Sequence, residues 1–154
     1  MTEKKPLKRH KSLQPLSRDH HHGLLLSWKI RTGFKKNVEA NRIKTYTDWF
    51  YTAHLIPHFE MEEAHIFSLL AEDNLLRIQA IDEHKQIKDL IENTDNLDEN
   101  LNQIADVLEK HIRFEERVLF PEIQNIATPE EMAHIETIHY EPNIPDKIDD
   151  EFWK

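Results

Sequence analysis

HFEMEEAHIF at 58–67 and HIRFEERVLF at 111–120 read almost as one stretch written twice. Laid over each other, His58 meets His111, Glu62 meets Glu115, Glu63 meets Glu116 and Phe67 meets Phe120. Each copy carries His-x-x-x-Glu inside a helical pattern. Four residues span just over one turn, so the imidazole and its carboxylate share a face. Imidazole with carboxylate suits a borderline divalent metal, iron above all. The doubled stretch therefore points to a helical bundle with a two-metal site in its core.

The rest of the chain agrees with helices. Its 154 residues make one domain with room for a real core. It has Gly 2 and no alternating β-branched runs, which argues against sheets with tight turns. A charged share of 32% fits helices with one wet face. A net charge of −9 disfavours a nucleic-acid partner. The basic run Lys4, Lys5, Lys8, Arg9, Lys11 is short, lacks interleaved aromatics and reads as a solvated tail. Cys 0 leaves neither disulfides nor thiolate ligands and fits a reducing, cytoplasmic compartment. No apolar stretch reaches ~18 residues, so no membrane span is expected. No apolar segment comes after the early charges, so no signal peptide is expected either.

A first helix is expected from near Pro15 or Leu16 to about Arg31, with Ser12 or Ser17 as cap and Gly33 at its end. A second runs from after Asn37 to about Glu72 and should bend at Pro57. A third covers 75–93, and a fourth covers 98–125 with its last turns loosened by Pro121. Thr128-Pro129-Glu130-Glu131 opens a short helix at 129–138. The organisation expected is a flexible basic tail at 1–12, a bundle at 13–127, and a short helix with an acidic tail at 128–154. Phe152-Trp153 close to the end suggests that this tail packs back onto the bundle or onto a protein partner.

Each of the four long helices puts a histidine on its apolar stripe. The stripes are Leu16, His20, Leu24, Ser27; then Tyr51, His54, His58, Glu62, His65, Leu69; then Leu76, Ala80, His84, Ile87, Ile91; then Ile104, Leu108, His111, Glu115, Val118. Chance alone supplies as many His-x-x-x-acid pairs as the chain contains. The signal lies in the repeated flanks and in the core side of the pairs, where an unpaired charge costs several kcal/mol. Asp19-His20 and Glu83-His84 add an acid before a histidine on the two remaining helices. One helical hairpin pattern is thus written twice: His, then His-x-x-x-Glu.

On these residues the chain resembles the hemerythrin-like, HHE cation-binding domains. The resemblance rests on Leu16-x-x-Asp19-His20, His58-Phe59-x-x-Glu62-Glu63, Glu83-His84, and His111-x-x-x-Glu115-Glu116 with Leu119-Phe120-Pro121, and it spans about 13–125. It implies an all-α, up-down-up-down antiparallel four-helix bundle holding two non-haem irons joined by an oxo or hydroxo bridge. Carried over by position, His20, His58, His84 and His111 would be terminal ligands, and Glu62 and Glu115 would bridge the metals. The oxygen-carrying members have a second third-helix histidine where this chain has Lys88, and an acid on the last helix that is an Asp five residues on rather than Glu115 four residues on. The shorter ligand set leaves more positions open on iron. That favours water, peroxide or nitric oxide chemistry over one protected oxygen complex.

Other residues compete for these roles. His21 is the alternative to His20, because it shares a stripe with Leu25 and Trp28; His22 is expected at the surface. His54 and His65 face inward, but Val107 and Val118 stand at their places in the other copy, so roles behind the ligands or in packing are expected. Glu63 and Glu116 either accept hydrogen bonds from the imidazoles or face solvent. Tyr46, Trp49, Phe50 and Tyr51 read as core and rim. His134 and His139 fall outside the repeat and receive no site role. The function expected is a di-iron protein that binds or senses oxygen, peroxide, nitric oxide or iron. A di-iron peroxidase or oxidase, a metal-dependent interaction module, and a zinc or manganese site with the same ligands are the rivals.

Overall fold

The computed structural model describes residues 8–138 and 144–154. The expectations for residues 1–7 and for His139, Glu141 and Pro142 lie outside the described residues. Within them the protein is helical and has no strand. Helix α1 spans Gln14–Lys35, α2 Ala40–Phe50, α3 Ile56–Met61, α4 Leu75–Glu92, α5 Leu97–Phe114, α6 Phe120–Ile126 and α7 Pro129–Ile138. A π turn at Tyr51–Leu55 joins α2 to α3, and another at Glu62–Ile66 with a 3-10 turn at Phe67–Leu69 extends α3. A third, at Glu115–Leu119, joins α5 to α6. The described residues therefore make four long helical runs and one short helix.

Local chemistry explains the ends. Asn74 caps α4, its side-chain oxygen accepting from the Leu76 and Arg77 amides at 2.9 and 3.3 Å. Thr128 and Glu131 cap α7 reciprocally: the Glu131 amide donates to Thr128 Oγ1 at 3.1 Å, and the Thr128 amide donates to Glu131 Oε1 at 2.8 Å. Neither Ser12 nor Ser17 caps α1. Leu13 takes the cap position without a side-chain bond, while the Ser12 hydroxyl is buried and donates to the Met132 carbonyl at 2.7 Å.

Gly33 does not end α1, as its residue type suggests it should. The helix continues to Lys35, and Asn37 takes the left-handed turn with φ 59°. Gly33 is needed for close approach instead. A Cβ there would stand 2.9 Å from Ile43 Cδ1 and 2.9 Å from two ring carbons of Phe152.

The π turns correct two stripes. Each holds a bond from an amide to the carbonyl five residues back: Ile56 to Tyr51, Phe67 to Glu62, Phe120 to Glu115. The wider turn rotates the residues after it about the helix axis. Val118 is therefore 45% exposed and Leu119 is buried in its place. Likewise Ile66 and Leu70 are buried where His65 and Leu69 were expected. Pro57 and Pro121 each come one residue after such a bond, where the ladder is already shifted to receive a residue without an amide hydrogen.

Two apolar clusters form the core. One gathers Leu26, Ile30, Ile43, Phe50, Ile87, Ile91, Leu101 and Leu108 with Phe152 and Trp153. The other gathers Leu13, Leu16, Ile66, Phe67, Ala80, Leu119, Phe120 and Ile123 with Met132 and Ile135 of α7. Each long run crosses from one cluster to the other and carries its buried histidine between them.

The tail packs back onto the helices. Phe152 and Trp153 meet Tyr46 edge-on at 5.7 and 5.1 Å. Lys29, 4% exposed, lies 3.9 Å over the Trp153 ring and donates to Tyr46 Oη at 2.7 Å and to Asp146 Oδ2 at 3.0 Å. At the other end Arg9 donates to Gln124 and to the Glu116 carbonyl, so residues 9–12 also lie on the helices. Among the described residues no helix is long and apolar enough to cross a membrane.

Candidate metal centre

Between the two apolar clusters lies a layer of charge. His20 comes from α1, His58 from α3, His84 from α4 and His111 from α5, while Glu62 and Glu115 open the π turns that follow α3 and α5. All six are buried, and Glu62 and Glu115 are fully so. The His-x-x-x-Glu spacing brings His58 Nε2 to 3.1 Å from Glu62 Oε1 and His111 Nε2 to 2.8 Å from Glu115 Oε1. Partners on other helices complete the set. His84 Nε2 stands 3.2 Å from Glu62 Oε1, and His20 Nε2 stands 3.1 Å from Glu115 Oε1.

The six form two overlapping groups: His20, His58, Glu62 and Glu115, and Glu62, His84, His111 and Glu115. Within each, one ligand atom per residue lies within 4.8 Å of the others. The two carboxylates belong to both groups.

Four outer acids orient the four rings. Nδ1–H of His20 donates to Glu116 at 2.7 Å, that of His58 to Asp19 at 3.0 Å, that of His84 to Glu63 at 2.9 Å and that of His111 to Glu83 at 2.7 Å. A ring that donates through Nδ1 turns its Nε2 lone pair inward. Glu63 and Glu116 thus serve the imidazoles rather than only facing solvent. Ser17 Oγ donates to Glu116 at 2.8 Å, and the Arg9 guanidinium lies 3.6 Å from it. The sequence marks Asp19 and Glu83 only as neighbours of His20 and His84. Their partners are in fact the histidines of the next helical run, a pairing that no sequence spacing carries.

Packing holds the rings as well. Phe59 stacks on His84 at 3.8 Å, Phe67 lies against it at 5.1 Å, and Phe120 stacks on His20 at 5.3 Å.

Apart from the bond between His20 Nε2 and Glu115 Oε1 at 3.1 Å, the inner atoms lack hydrogen-bond partners. Nε2 of His58, His84 and His111, both oxygens of Glu62 and Oε2 of Glu115 are buried and unsatisfied; the short approaches among them are not aligned as hydrogen bonds. Leaving such atoms unpaired in an apolar core is expensive. Burial disfavours a charge on the rings, yet the carboxylates outweigh it. Glu115 and Glu116 raise His20, Glu62 and Asp19 raise His58, and Glu62 and Glu63 raise His84. Against the same burial, Glu115 and Glu83 push His111 up to about 10. Burial acts to raise Glu115 too, but His111 and the neighbouring groups hold it well below the usual carboxylate range. The cavity is an attractive place for positive charge. Once the rings give up a proton to the incoming ion, imidazole nitrogens and carboxylate oxygens facing one another are the donors a divalent cation takes, so the residues present fit a metal.

The competing histidines lie elsewhere. His21 and His22 are exposed. His54 is half-buried against Phe50 and Trp49 at 4.8 and 5.4 Å, and His65 faces His134 at 6.1 Å. Lys88 is exposed.

Comparison with curated proteins and with solved structures found no significant match. A family model does match: residues 80–141, which carry His84, His111 and Glu115, are similar to the hemerythrin HHE cation binding domain.

Proposed function

We propose that this protein is a hemerythrin-like, non-haem di-iron protein that binds or senses a small molecule such as oxygen, peroxide or nitric oxide, or responds to iron itself. His20, His58, His84 and His111 would be its terminal ligands, and Glu62 and Glu115 would be shared by the two metals. The observation that carries this reading is the set of buried, unsatisfied Nε2 and carboxylate atoms facing one another in the core. The cation binding domain match over 80–141 supports it. So does the way each long run crosses between the two apolar clusters in alternate directions, as an up-down-up-down four-helix bundle requires.

The size of the inner cavity favours a small ligand. It borders His20, His58, His111 and Glu115, has Asp19, His22 and His54 at its outer end, and is walled between by apolar groups such as Leu55, Phe59, Leu108 and Ile112. Its volume of ≈ 20 Å³ accepts a water-sized molecule and no organic substrate. Iron there would supply a Lewis acid and an open coordination position. The chain's own residues keep the ligand dry and fix the imidazoles. This small volume disfavours an oxidase acting on an organic substrate at the metal. It leaves a peroxidase as the second reading, since peroxide fits the same space. The metal-dependent interaction module loses its proposed free end, because Phe152 and Trp153 are core residues.

Elemental analysis, with the visible spectrum of the oxidised protein taken on the same sample, tests the reading. Two irons per chain with near-ultraviolet absorption are expected. A single zinc, or no metal after anaerobic reconstitution with iron(II), would overturn it.

A further inference from the structure

Two cavities meet beside the metal centre. The inner one, against His20, His58 and His111, extends outward to Asp19, His22, Phe50 and His54. The outer one is a vestibule of ≈ 570 Å³ open to solvent, and those same four residues line it too. They form the neck between the two. Asp19 and His54 also border a third surface cavity that touches His58. The neck rings face each other, with His22 and His54 centroids 6.1 Å apart and planes inclined by 24°. His54 is held by Phe50 and Trp49, whereas His22 is exposed. Asp19 Oδ2 accepts the bond from His58 Nδ1, so the neck is tied directly to one ring of the inner layer.

Aromatic rings cover two other parts of that layer. Phe59 and Phe67 lie on His84, and Phe120 lies on His20. Any ion reaching the buried carboxylates has to exchange its water shell for protein donors on the way in. A purely apolar neck would oppose that exchange strongly. This neck offers imidazole and carboxylate, the donor types of the inner layer itself. Of the cations bordering the vestibule, Lys29 is matched by Asp146 at 3.0 Å, and Arg18 is not without a partner.

We propose that His22, His54 and Asp19 form a transit site through which iron(II) enters and leaves the inner cluster. The inference rests on the metal reading above but concerns the route and not the final ligands. Removing a transit site slows passage in both directions equally, so affinity is unchanged. Removing a ligand changes affinity.

The test uses the metal-free full-length chain and iron(II) alone under anaerobic conditions. Uptake is followed after rapid mixing, and release is followed into a chromophoric iron(II) chelator. In the double variant His22→Ala, His54→Ala both rates should fall by about tenfold, the lower end of what a focusing cleft adds to an on-rate. Final iron per chain should equal that of the parent. His21→Ala, on the same helix but outside the neck, should load at the parent rate. Circular dichroism reads folding independently. Parent-like rates in the double variant would overturn the proposal, as would a loss of affinity at an unchanged loading rate. Failure of the parent chain to take up any metal would instead refute the metal reading, a result visible before any variant is made.

Discussion

Glu83 precedes His84 in the chain, yet its carboxylate accepts the Nδ1 proton of His111, 2.7 Å away on the next helical run. The same displacement recurs all the way round. Asp19 beside His20 serves His58, Glu63 beside Glu62 serves His84, and Glu116 beside Glu115 serves His20. The four bonds close a circuit through α1, α3, α4, α5 and the π turns. Each acid therefore fixes a ring and also ties one helical run to another. Placing two glutamates at the centre of a dry core is tolerable because this outer circuit fixes every ring that faces them.

Glu83→Gln tests the circuit. The amide keeps the shape but weakens the charge-assisted bond and leaves the His111 tautomer less firmly set. Metal affinity should fall by about 10–100-fold, with helical content unchanged. Chelator competition measures this; affinity equal to the parent would mean that the outer acids only fasten helices.

Removing metal should expose the strain of the inner layer. Without a cation, both oxygens of Glu62 and Oε2 of Glu115 stay buried with no hydrogen-bond partner. The melting temperature should rise with added iron(II) as binding to the folded state requires, by about 2.7 kcal/mol of stability at a hundredfold excess over Kd. Glu115→Gln should abolish that metal-dependent rise. Its metal-free form should also melt lower than the metal-free parent, because the carboxylate that His111 and its neighbours hold ionised has gone. Calorimetry with and without metal separates the two effects.

Much of this centre was legible because His-x-x-x-Glu is a property of one helix. The spacing of His58 to Glu62 and of His111 to Glu115 survives in any helical context, and the doubling pointed to a shared layer. What failed came from two sources. The π turns have no residue signature, so the stripe expected through Val118 and His65 left its course at Glu115 and Glu62 and passed to Leu119 and Ile66. Gly33 looks like a helix end by type, but its role is decided by Phe152, more than a hundred residues away. The circuit of outer acids is tertiary in the same sense.

The two glycines should behave differently on replacement by alanine, although both lie in α1. Alanine gains about 1 kcal/mol of helix propensity at either site. At Gly23 the new Cβ meets only the tip of Ile112, Cδ1 at 2.7 Å, which can turn aside. At Gly33 it meets the rigid Phe152 ring as well as Ile43. Gly33→Ala should therefore lose about 1–3 kcal/mol while Gly23→Ala stays near neutral. Adding Phe152→Ala should remove most of the Gly33→Ala penalty, because the clashing ring is gone. Denaturant melts of the three variants and the double read this directly.

Asp146 makes the tail's attachment pH-dependent. Partial burial acts to raise its carboxyl, but the Tyr46 hydroxyl and the Lys29 ammonium hold it below the ordinary 3.8. Tyr46 donates to Oδ1 at 2.6 Å and Lys29 to Oδ2 at 3.0 Å. A carboxyl with a depressed folded pKa contributes stability above its unfolded value and loses it as pH falls through the folded one. Asp146→Asn keeps the shape and does not titrate. The side chain of Asp146 is 44% exposed, so the variant should lose only about 1 kcal/mol at neutral pH. The gap between parent and variant should narrow as pH drops below 3.8 and vanish once the parent carboxyl is protonated in both states. Acid release of metal acts on both chains alike and cancels in the difference. A gap that persisted at low pH would mean that the Asp146 contacts stabilise through packing and not through charge.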